Sequence, residues 1–183
     1  MSISDERKKY AQKQEKAVMR ELDELGMSNC VFKVVFADLP DRKNCEKKFT
    51  AKGLDEVEFY LSPNAGQPLK PLTKIISGGE QSRFMLALKV ISGKYDDIPS
   101  LVFDEIDTGI SGTIGREVAK KMAIISTTRQ VLCVTHLPQI AAMADKNYLI
   151  TKSTDDNSTV TNGRELGGKE VVDEIARLSG GKD

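Results

Sequence analysis

The sequence predicts an α/β fold in which a mostly parallel sheet is flanked by helices and preceded by one charged helix. Residues 5 to 25 are dense in helix-forming residues and contain neither Gly nor Pro. After residue 75, helix-like and strand-like segments alternate, as they do in parallel α/β architectures. Two of these strands, at 100–104 and 130–135, contain continuously apolar runs, at 101–103 and 131–134, which predict parallel strands buried on both faces.

Composition narrows the class of protein. The 183 residues carry no formal net charge, with 39% apolar and 30% charged residues, which predicts a globular domain with a real core. Zero net charge excludes a global attraction for nucleic acid, although a local basic patch remains possible. No apolar run reaches the ~20 residues of a membrane span, and the polar N-terminus lacks a secretory signal.

Cysteine and histidine usage points to a cytoplasmic protein without its own metal cluster. Cys30, Cys45 and Cys133 are odd in number and fit no zinc spacing, so we expect reduced structural thiols. His136 is the only histidine, which excludes a multi-histidine metal site.

The first half predicts one helix and two strands. The leading helix has a narrow, mostly apolar stripe at i, i+4, i+8, i+12 and i+15, which consists of Tyr10, Gln14, Val18, Leu22 and Leu25. Such a stripe fits either a solvated surface helix or the last turns of a coiled coil, and the pattern leaves both open. Strands are predicted at 31–37 and, half-buried, at 56–61, with loops at 38–54 and 62–71.

The second half predicts alternating helices and strands. Helices are expected at about 79–92, 112–126 and 137–144, and a hairpin at 147–161 turns around 155–157. A last amphipathic helix is expected at about 169–178. The residues predicted to be buried in the 112–126 helix are Ile114, Val118, Met122 and Ile125, and those in the last helix are Val171, Val172, Ile175 and Leu178.

Polar residues follow each of the two apolar strands. Asp104 and Glu105 end the strand at 100–104, at the sheet edge where open parallel sheets bind ligands. Asp104 is a candidate Mg²⁺ ligand, and Glu105 a candidate to orient or deprotonate an attacking water. An ordinary polar turn explains the pair equally well when it is considered alone.

Three further features are individually ambiguous. The segment Ser77-Gly78-Gly79-Glu80-Gln81 opens a helix and could bind a phosphate through free N–H groups, or simply cap that helix. His136 follows the strand at 130–135, where its ring could hydrogen-bond a γ-phosphate or cap a helix. Asp107 lies at the same predicted edge and could belong to a simple turn.

Taken together, these motifs occur in the order found in ABC-type ATPases. From about Leu72 to Asp145 the chain resembles that class. It resembles the RecN family of bacterial DNA repair proteins, which are SMC-like ATPases, more closely. The matching stretches are KPLTKIISGGEQSRFMLALK, LVFDEIDTGISG, RQVLCVTHLPQIAAMAD and EIARLSGG.

The resemblance implies specific roles. Residues 1–26 would end a coiled-coil arm, and residues 27–183 would form the C-terminal half of an ATPase head. Asp104 would serve Mg²⁺, Glu105 would be the catalytic carboxylate, and His136 would be the switch histidine. Asp107 would belong to the loop that crosses a dimer interface. The signature residues would contact ATP bound by the opposite head, and they are Ser77, Gly78, Gly79, Glu80 and Gln81.

The resemblance also implies partners: the N-terminal half of the same protein, a second head in an ATP-dependent homodimer, and DNA. The expected cofactors are ATP and Mg²⁺, the expected location is the cytoplasm at the nucleoid, and no membrane contact is expected.

A phosphate-binding loop, G-x-x-x-x-G-K-[ST], is missing from these 183 residues. Gly163 to Lys169 imitates one, but Glu170 stands where Ser or Thr is needed. We therefore expect this chain alone to be inactive, as a fragment or as one half of a split head.

Two alternatives remain at this point. One is a fragment of another ABC-class ATPase, such as the nucleotide subunit of a transporter. The other is a scaffold that uses the fold only to dimerise.

Overall fold

A computed structural model describes residues 3–37, 50–51, 53–64, 66–74, 78–155 and 158–180. This part of the chain belongs to two compact units, Met1–Asp96 and Asp97–Asp183. The prediction for 38–54 falls almost entirely outside the described residues, as do Ser77 and Cys45.

In the first unit, one long helix packs on a small antiparallel sheet. Helix α1 spans Ile3–Glu24 and contacts strand β1, Val31–Phe36, and helix α2, Gly78–Ser92. The sheet runs in the order β1-β2-β3, with β2 at Val57–Ser62 and β3 at Lys70–Pro71, and both pairings are antiparallel.

The core of the first unit is closed by aromatic and aliphatic side chains. Phe32 of β1 lies 5.3 Å from the Phe84 ring of α2 and 5.4 Å from the Phe59 ring of β2. Phe32 and Phe84 are both fully buried. Helix α1 contributes two fully buried residues, Val18 and Leu22, and Leu25, just after the helix, is a third.

Packing of α1 differs from the prediction in two respects. Tyr10, which was assigned to the apolar stripe, is 66% exposed, while Ala11 is buried. The narrow stripe also fitted a solvated surface helix, whereas Val18 and Leu22 of α1 are fully buried. The C-terminal half of α1 is sealed against the sheet, and Arg7 near its start donates to Asp55 at 2.6 Å.

The second unit contains the parallel layer. Strand β4, Ser100–Phe103, and strand β5, Gln130–Cys133, pair in parallel, and helix α3, Gly112–Ser126, connects them. The α/β class and the leading helix are thus confirmed, although β4 and β5 are the only parallel pair among the described residues.

Burial of the parallel pair corrects a second prediction. The face that carries Leu101, Phe103 and Val131 is covered, and α3 contacts β5. On the other face, Val102 is 70% exposed, Leu132 47% and Val134 62%. Both strands have the continuously apolar composition of two-sided burial, but the described residues cover one side only.

Helix α3 buries most of its predicted face. Val118, Met122 and Ile125 are buried as predicted, whereas Ile114 is only half-buried. Lys121 of the same helix is 9% exposed, because its long apolar stem can lie along the core.

The chain ends in a short helix, a hairpin and a last helix. Helix α4 spans Pro138–Ala141, and strands β6, Asn147–Asp155, and β7, Ser158–Leu166, form the predicted antiparallel hairpin. Helix α5 spans Lys169–Leu178 and contacts α4, but none of its residues is buried, and Val172 is 64% exposed. The predicted burial of Val171, Val172, Ile175 and Leu178 was therefore wrong for the described chain.

Candidate functional site

The parallel register brings the polar ends of β4 and β5 to one sheet edge. Phe103 pairs with Cys133 at the end of the ladder, and the Val134 N–H then donates to the Phe103 carbonyl at 2.9 Å. Asp104 follows one strand directly, and His136 comes three residues after the other. The predicted placement of these two segments at a common edge is confirmed.

Asp107 joins the two segments. Its buried carboxylate, 4% exposed, accepts hydrogen bonds on a single oxygen from the Thr135 hydroxyl at 2.6 Å and from the His136 backbone N–H at 2.8 Å. The same oxygen lies 3.0 Å from His136 Nδ1. The Thr135 hydroxyl in turn accepts the Leu137 N–H at 3.0 Å. This network fixes the turn that leads into α4.

A glycine of helix α3 packs against the same turn. Gly115 of α3 is buried, and a Cβ added there would lie 3.0 Å from a methyl carbon of Leu137. A larger residue would push Leu137 away, and with it the histidine next to it. Thr135 and Gly115 were both missed by sequence reasoning, because neither residue type suggests a role until the fold places it beside the histidine segment.

The acidic pair after β4 has an unusual backbone. Glu105 has a φ of 57°, in the left-handed region that non-glycine residues rarely adopt. Its N–H is held at 2.9 Å by Asp104 Oδ1. Both carboxylates are exposed. Residues kept in such a conformation cluster at functional sites, and no sequence signal predicted it.

The carboxylates also act on a neighbouring thiol. The pKa of Cys133 is raised to about 12, first by burial and then by the negative charges of Asp107 and Asp104. This thiol stays protonated and inert at neutral pH.

The signature residues lie in the other compact unit. Helix α2 begins at Gly78, Gly79 is buried, and Glu80 lies in the first turn. Gln81 is exposed. The N–H groups of a first helical turn have no partner within the helix, and the helix dipole favours an anion there. Ser77 falls outside the described residues.

The segment that imitates a phosphate loop is not one. Gly163 lies inside β7, paired with Ile150, so the segment begins as a strand. Glu170 accepts the Gly167 N–H at 3.3 Å and Arg164 at 2.8 Å, and these contacts lower the pKa of its carboxyl. The Glu170 carboxylate thus binds a backbone N–H that a phosphate would need. The prediction that this segment is not a phosphate-binding loop is confirmed.

Magnesium would fit this edge only together with a nucleotide. Among the described residues, no three His, Cys, Asp or Glu side chains are grouped as metal ligands. Mg²⁺ is commonly bound through one or two carboxylates plus substrate phosphates. The exposed Asp104 matches the protein's share of that donor set.

Among the described residues, no helix is long and apolar enough to cross a membrane.

Comparison with known proteins gives one consistent result. A scan of family models finds no match. The DNA repair protein RecN of Halalkalibacterium halodurans is 43% identical over 180 residues, which are 98% of this chain and 31% of that protein. RecN of Bacillus subtilis is 41% identical over 188 residues, 98% of this chain and 33% of that protein. The chain spans about a third of the length of these relatives.

Solved structures support the fold. The Smc head domain with a coiled coil and joint from Pyrococcus yayanosii has a TM-score of 0.56 at 20% identity, and the match covers 90% of this chain and 29% of that one. An Smc head from Pyrococcus furiosus with an extended coiled coil, bound to the C-terminal domain of ScpA, has a TM-score of 0.50 at 19% identity over 90% of this chain and 37% of that one. Fold and sequence agree. The chain belongs to the RecN family, and over nearly its whole length it corresponds to the C-terminal third of RecN proteins.

Proposed function

We propose that this chain is the C-terminal half of an SMC-like, ATP-hydrolysing head that acts in DNA double-strand break repair and recombination. The observation that carries the proposal is the common sheet edge at which Asp104 and Glu105 lie, with His136 anchored there by Asp107. Relatives of the chain are named DNA repair proteins, which supports the biological setting, in the cytoplasm at the nucleoid.

The chemistry at this edge would be ATP hydrolysis. Glu105 would accept a proton from the attacking water, and its exposed carboxylate on a fixed backbone is suited to that role. Asp104 would hold Mg²⁺, which, when bound, would neutralise charge on the nucleotide phosphates. His136 would contact the terminal phosphate.

The signature segment would serve a second copy of the head. Gly78 and Gly79 carry no side chain that could block a phosphate, and the N–H groups of the first turn of α2 have no partner within the helix. With Ser77, Glu80 and Gln81, they would close over ATP bound by the opposite head. Asp107 would belong to the loop that faces the dimer interface. ATP would thus hold a homodimer together.

The exposed apolar face of β4 and β5 is the observation that favours the N-terminal half of the protein as a second partner. Val102, Leu132 and Val134 form an apolar face of a strand pair whose composition is typical of two-sided burial. The relatives are about three times as long as this chain, so further chain is available to cover the face. Lacking a phosphate loop, the chain by itself would bind ATP weakly and hydrolyse essentially none.

Helix α1 supports DNA as the third partner. Its outward face carries exposed cations at i, i+4, i+7 and i+11, which are Lys9, Lys13, Lys16 and Arg20. Two acids of the helix have partners of their own: Glu15 accepts the Val34 N–H at 2.9 Å and pairs with Lys33, and Glu21, which is 6% exposed, lies 3.8 Å from Arg20. The four cations span about 16 Å and suit a phosphate backbone. Acidic residues on this face lie only at the helix ends. Residues 1–26 would be the end of a coiled-coil arm joining a head at 27–183.

Turnover in the assembled head tests the proposal. The chain is mixed with the N-terminal part of its own protein, and phosphate release is measured with Mg²⁺-ATP. Glu105→Gln should lower the rate about 10²- to 10⁴-fold while ATP binding persists, because the amide cannot take the proton of water. Glu117→Gln, at an exposed ion pair with Lys120 in the same unit, is the matched control. Full turnover by Glu105→Gln, or robust turnover by the chain alone, would overturn the proposal.

Two alternatives have distinct outcomes in the same mixture. A dimerisation scaffold would pair equally well with or without ATP, and neither Glu105→Gln nor His136→Ala would change it. A fragment of a transporter-type ATPase would hydrolyse ATP without any response to added DNA. The exposed cations of α1 and the sequence identity to DNA repair proteins favour the SMC-like repair head over both alternatives.

A further inference from the structure

The side chain of His136 is too exposed for packing to fix its position. Its exposed fraction is 71%. The residues on either side of it are held more firmly: Thr135 is half-buried and makes two hydrogen bonds through its hydroxyl, and Leu137 is only 9% exposed. The place of the imidazole therefore depends on how the neighbouring backbone is anchored.

The Thr135 hydroxyl links the anchors on the two sides of the histidine. It donates to Asp107 Oδ2 at 2.6 Å and accepts the Leu137 N–H at 3.0 Å. A hydroxyl can do both, whereas a carboxylate only accepts and a backbone N–H only donates. The same Asp107 oxygen accepts the His136 N–H at 2.8 Å. One carboxylate and one hydroxyl thus bind the two backbone N–H groups that flank the histidine Cα.

Both ends of this arrangement rest on buried groups. Asp107 is 4% exposed, and hydrogen bonds to a carboxylate are about twice as strong as neutral ones. At the other end, a Cβ added at Gly115 would lie 3.0 Å from a methyl carbon of Leu137, so the glycine lets Leu137 seat against α3. The turn that carries His136 is held between the Asp107 loop and this helix, and the Thr135 hydroxyl bonds to both of its ends.

We infer that Thr135 is a positioning residue, whose hydroxyl holds the backbone of His136 against the Asp107 loop and so keeps the imidazole at the sheet edge of Asp104 and Glu105. The inference rests on the proposed function for its use, because His136 would contact the terminal phosphate of ATP. Two substitutions isolate the hydroxyl. Thr135→Val keeps the branched shape without the hydroxyl, and Thr135→Ser keeps the hydroxyl without the methyl group.

The first measurement needs no ATP. The chain has a single histidine, so labelling the carbonyl carbon of histidine and the nitrogen of leucine selects one amide, that of Leu137. This amide should exchange slowly with solvent in the unmodified chain and in Thr135→Ser, and about 10-fold faster or more in Thr135→Val, because its acceptor is lost. The remaining leucine amides of the unit report whether it stays folded.

Two results would overturn the inference: rapid exchange of the Leu137 amide in the folded, unmodified chain, or equal exchange in Thr135→Val. If Thr135→Val unfolds the unit, the unmodified chain and Thr135→Ser still decide, because both must protect this amide.

Turnover in the assembled head separates positioning from general stability. Thr135→Val should lower kcat by about 10-fold, because a small misplacement of a contacting group is costly. KM for ATP should change little, and Thr135→Ser should keep most of the rate. Thr127→Val, which removes a hydroxyl bonded to the Ile124 carbonyl at 2.7 Å in the same unit, is the matched control.

Combination with His136→Ala identifies the route. In that background Thr135→Val should cost no further activity, because it acts through the histidine. Additive losses, or an equal loss in Thr127→Val, would overturn the inference. An unmodified head that hydrolyses no ATP, together with a Leu137 amide protected as expected, would refute the proposed function while still supporting the hold of Thr135 on the histidine turn.

Discussion

Two of the sheets in the described part of the chain differ in how much of their apolar surface is covered. The antiparallel sheet β1–β3 has one face covered by helix packing, with Phe32, Phe84 and Leu22 fully buried. The parallel pair β4–β5 is covered on one face and leaves Val102 and Val134 exposed on the other. The first sheet has a self-contained core, whereas the second has the composition of a strand pair meant to be buried twice. Buried residues of the first sheet stabilise the fold of this chain, whereas the exposed apolar residues of the second are suited to be covered by a partner.

The largest expected effect contrasts the two regions directly. Phe84→Ala removes a fully buried ring 5.3 Å from Phe32 and should lower the free energy of unfolding of the first unit by about 3–5 kcal/mol. Val102→Ala, at a side chain that is 70% exposed, should change the stability of the chain alone by less than about 0.5 kcal/mol. Urea unfolding followed by a probe in each unit measures both. Similar losses for the two variants would break the comparison.

Binding of the N-terminal part of the protein should depend on the exposed apolar face of β4 and β5. The double variant Val102→Asp/Val134→Asp should fold normally alone but bind the N-terminal part of the protein about 100-fold or more weakly, because burying unpaired carboxylates is costly. Ile124→Asp, on the outer side of α3 at 56% exposure, is the matched control. Association is measured by calorimetry. Unimpaired binding by the double variant would show that this face is not the docking surface.

A smaller effect is expected on the outer face of α1. Replacing Lys9, Lys13, Lys16 and Arg20 by Gln should weaken DNA binding by about 10-fold near 0.1 M salt and make the salt dependence shallower by about 3 to 4 in log–log slope. A control set takes four cations from the second unit: Lys120, Lys146, Lys152 and Arg164. Titrations against duplex DNA over a salt series decide the matter, and equal losses in both sets would argue for non-specific attraction.

The smallest effect concerns pH and the attachment of α1. Arg7 and then Ser4 lower the pKa of Asp55 by hydrogen bonding to its carboxylate. A lowered pKa means that the stabilisation is present above about pH 4, the pKa of an unfolded Asp, and is lost as pH falls through the folded value. Asp55→Asn should therefore be slightly less stable than the unmodified chain at neutral pH, and the gap should close in acid. A gap that widens in acid would contradict this assignment.

Sequence alone predicted much of the architecture. Periodicity and composition placed α1, α2, α3 and the β6–β7 hairpin, and the two apolar runs predicted β4 and β5 as parallel neighbours. The polar residues after those strands were also assigned to one sheet edge, because parallel strands end together. Local patterns determine these features, since each depends on residues close in the chain or on a general rule of strand pairing.

Tertiary structure decided what each side chain faces. Tyr10 fits the helical stripe but is exposed, and Val102 fits a buried strand but is 70% exposed. The bond from Asp107 to His136 joins residues 29 positions apart, and the left-handed backbone of Glu105 arises at the end of β4. Burial and hydrogen bonding depend on which surfaces meet in three dimensions, and no local pattern contains that information.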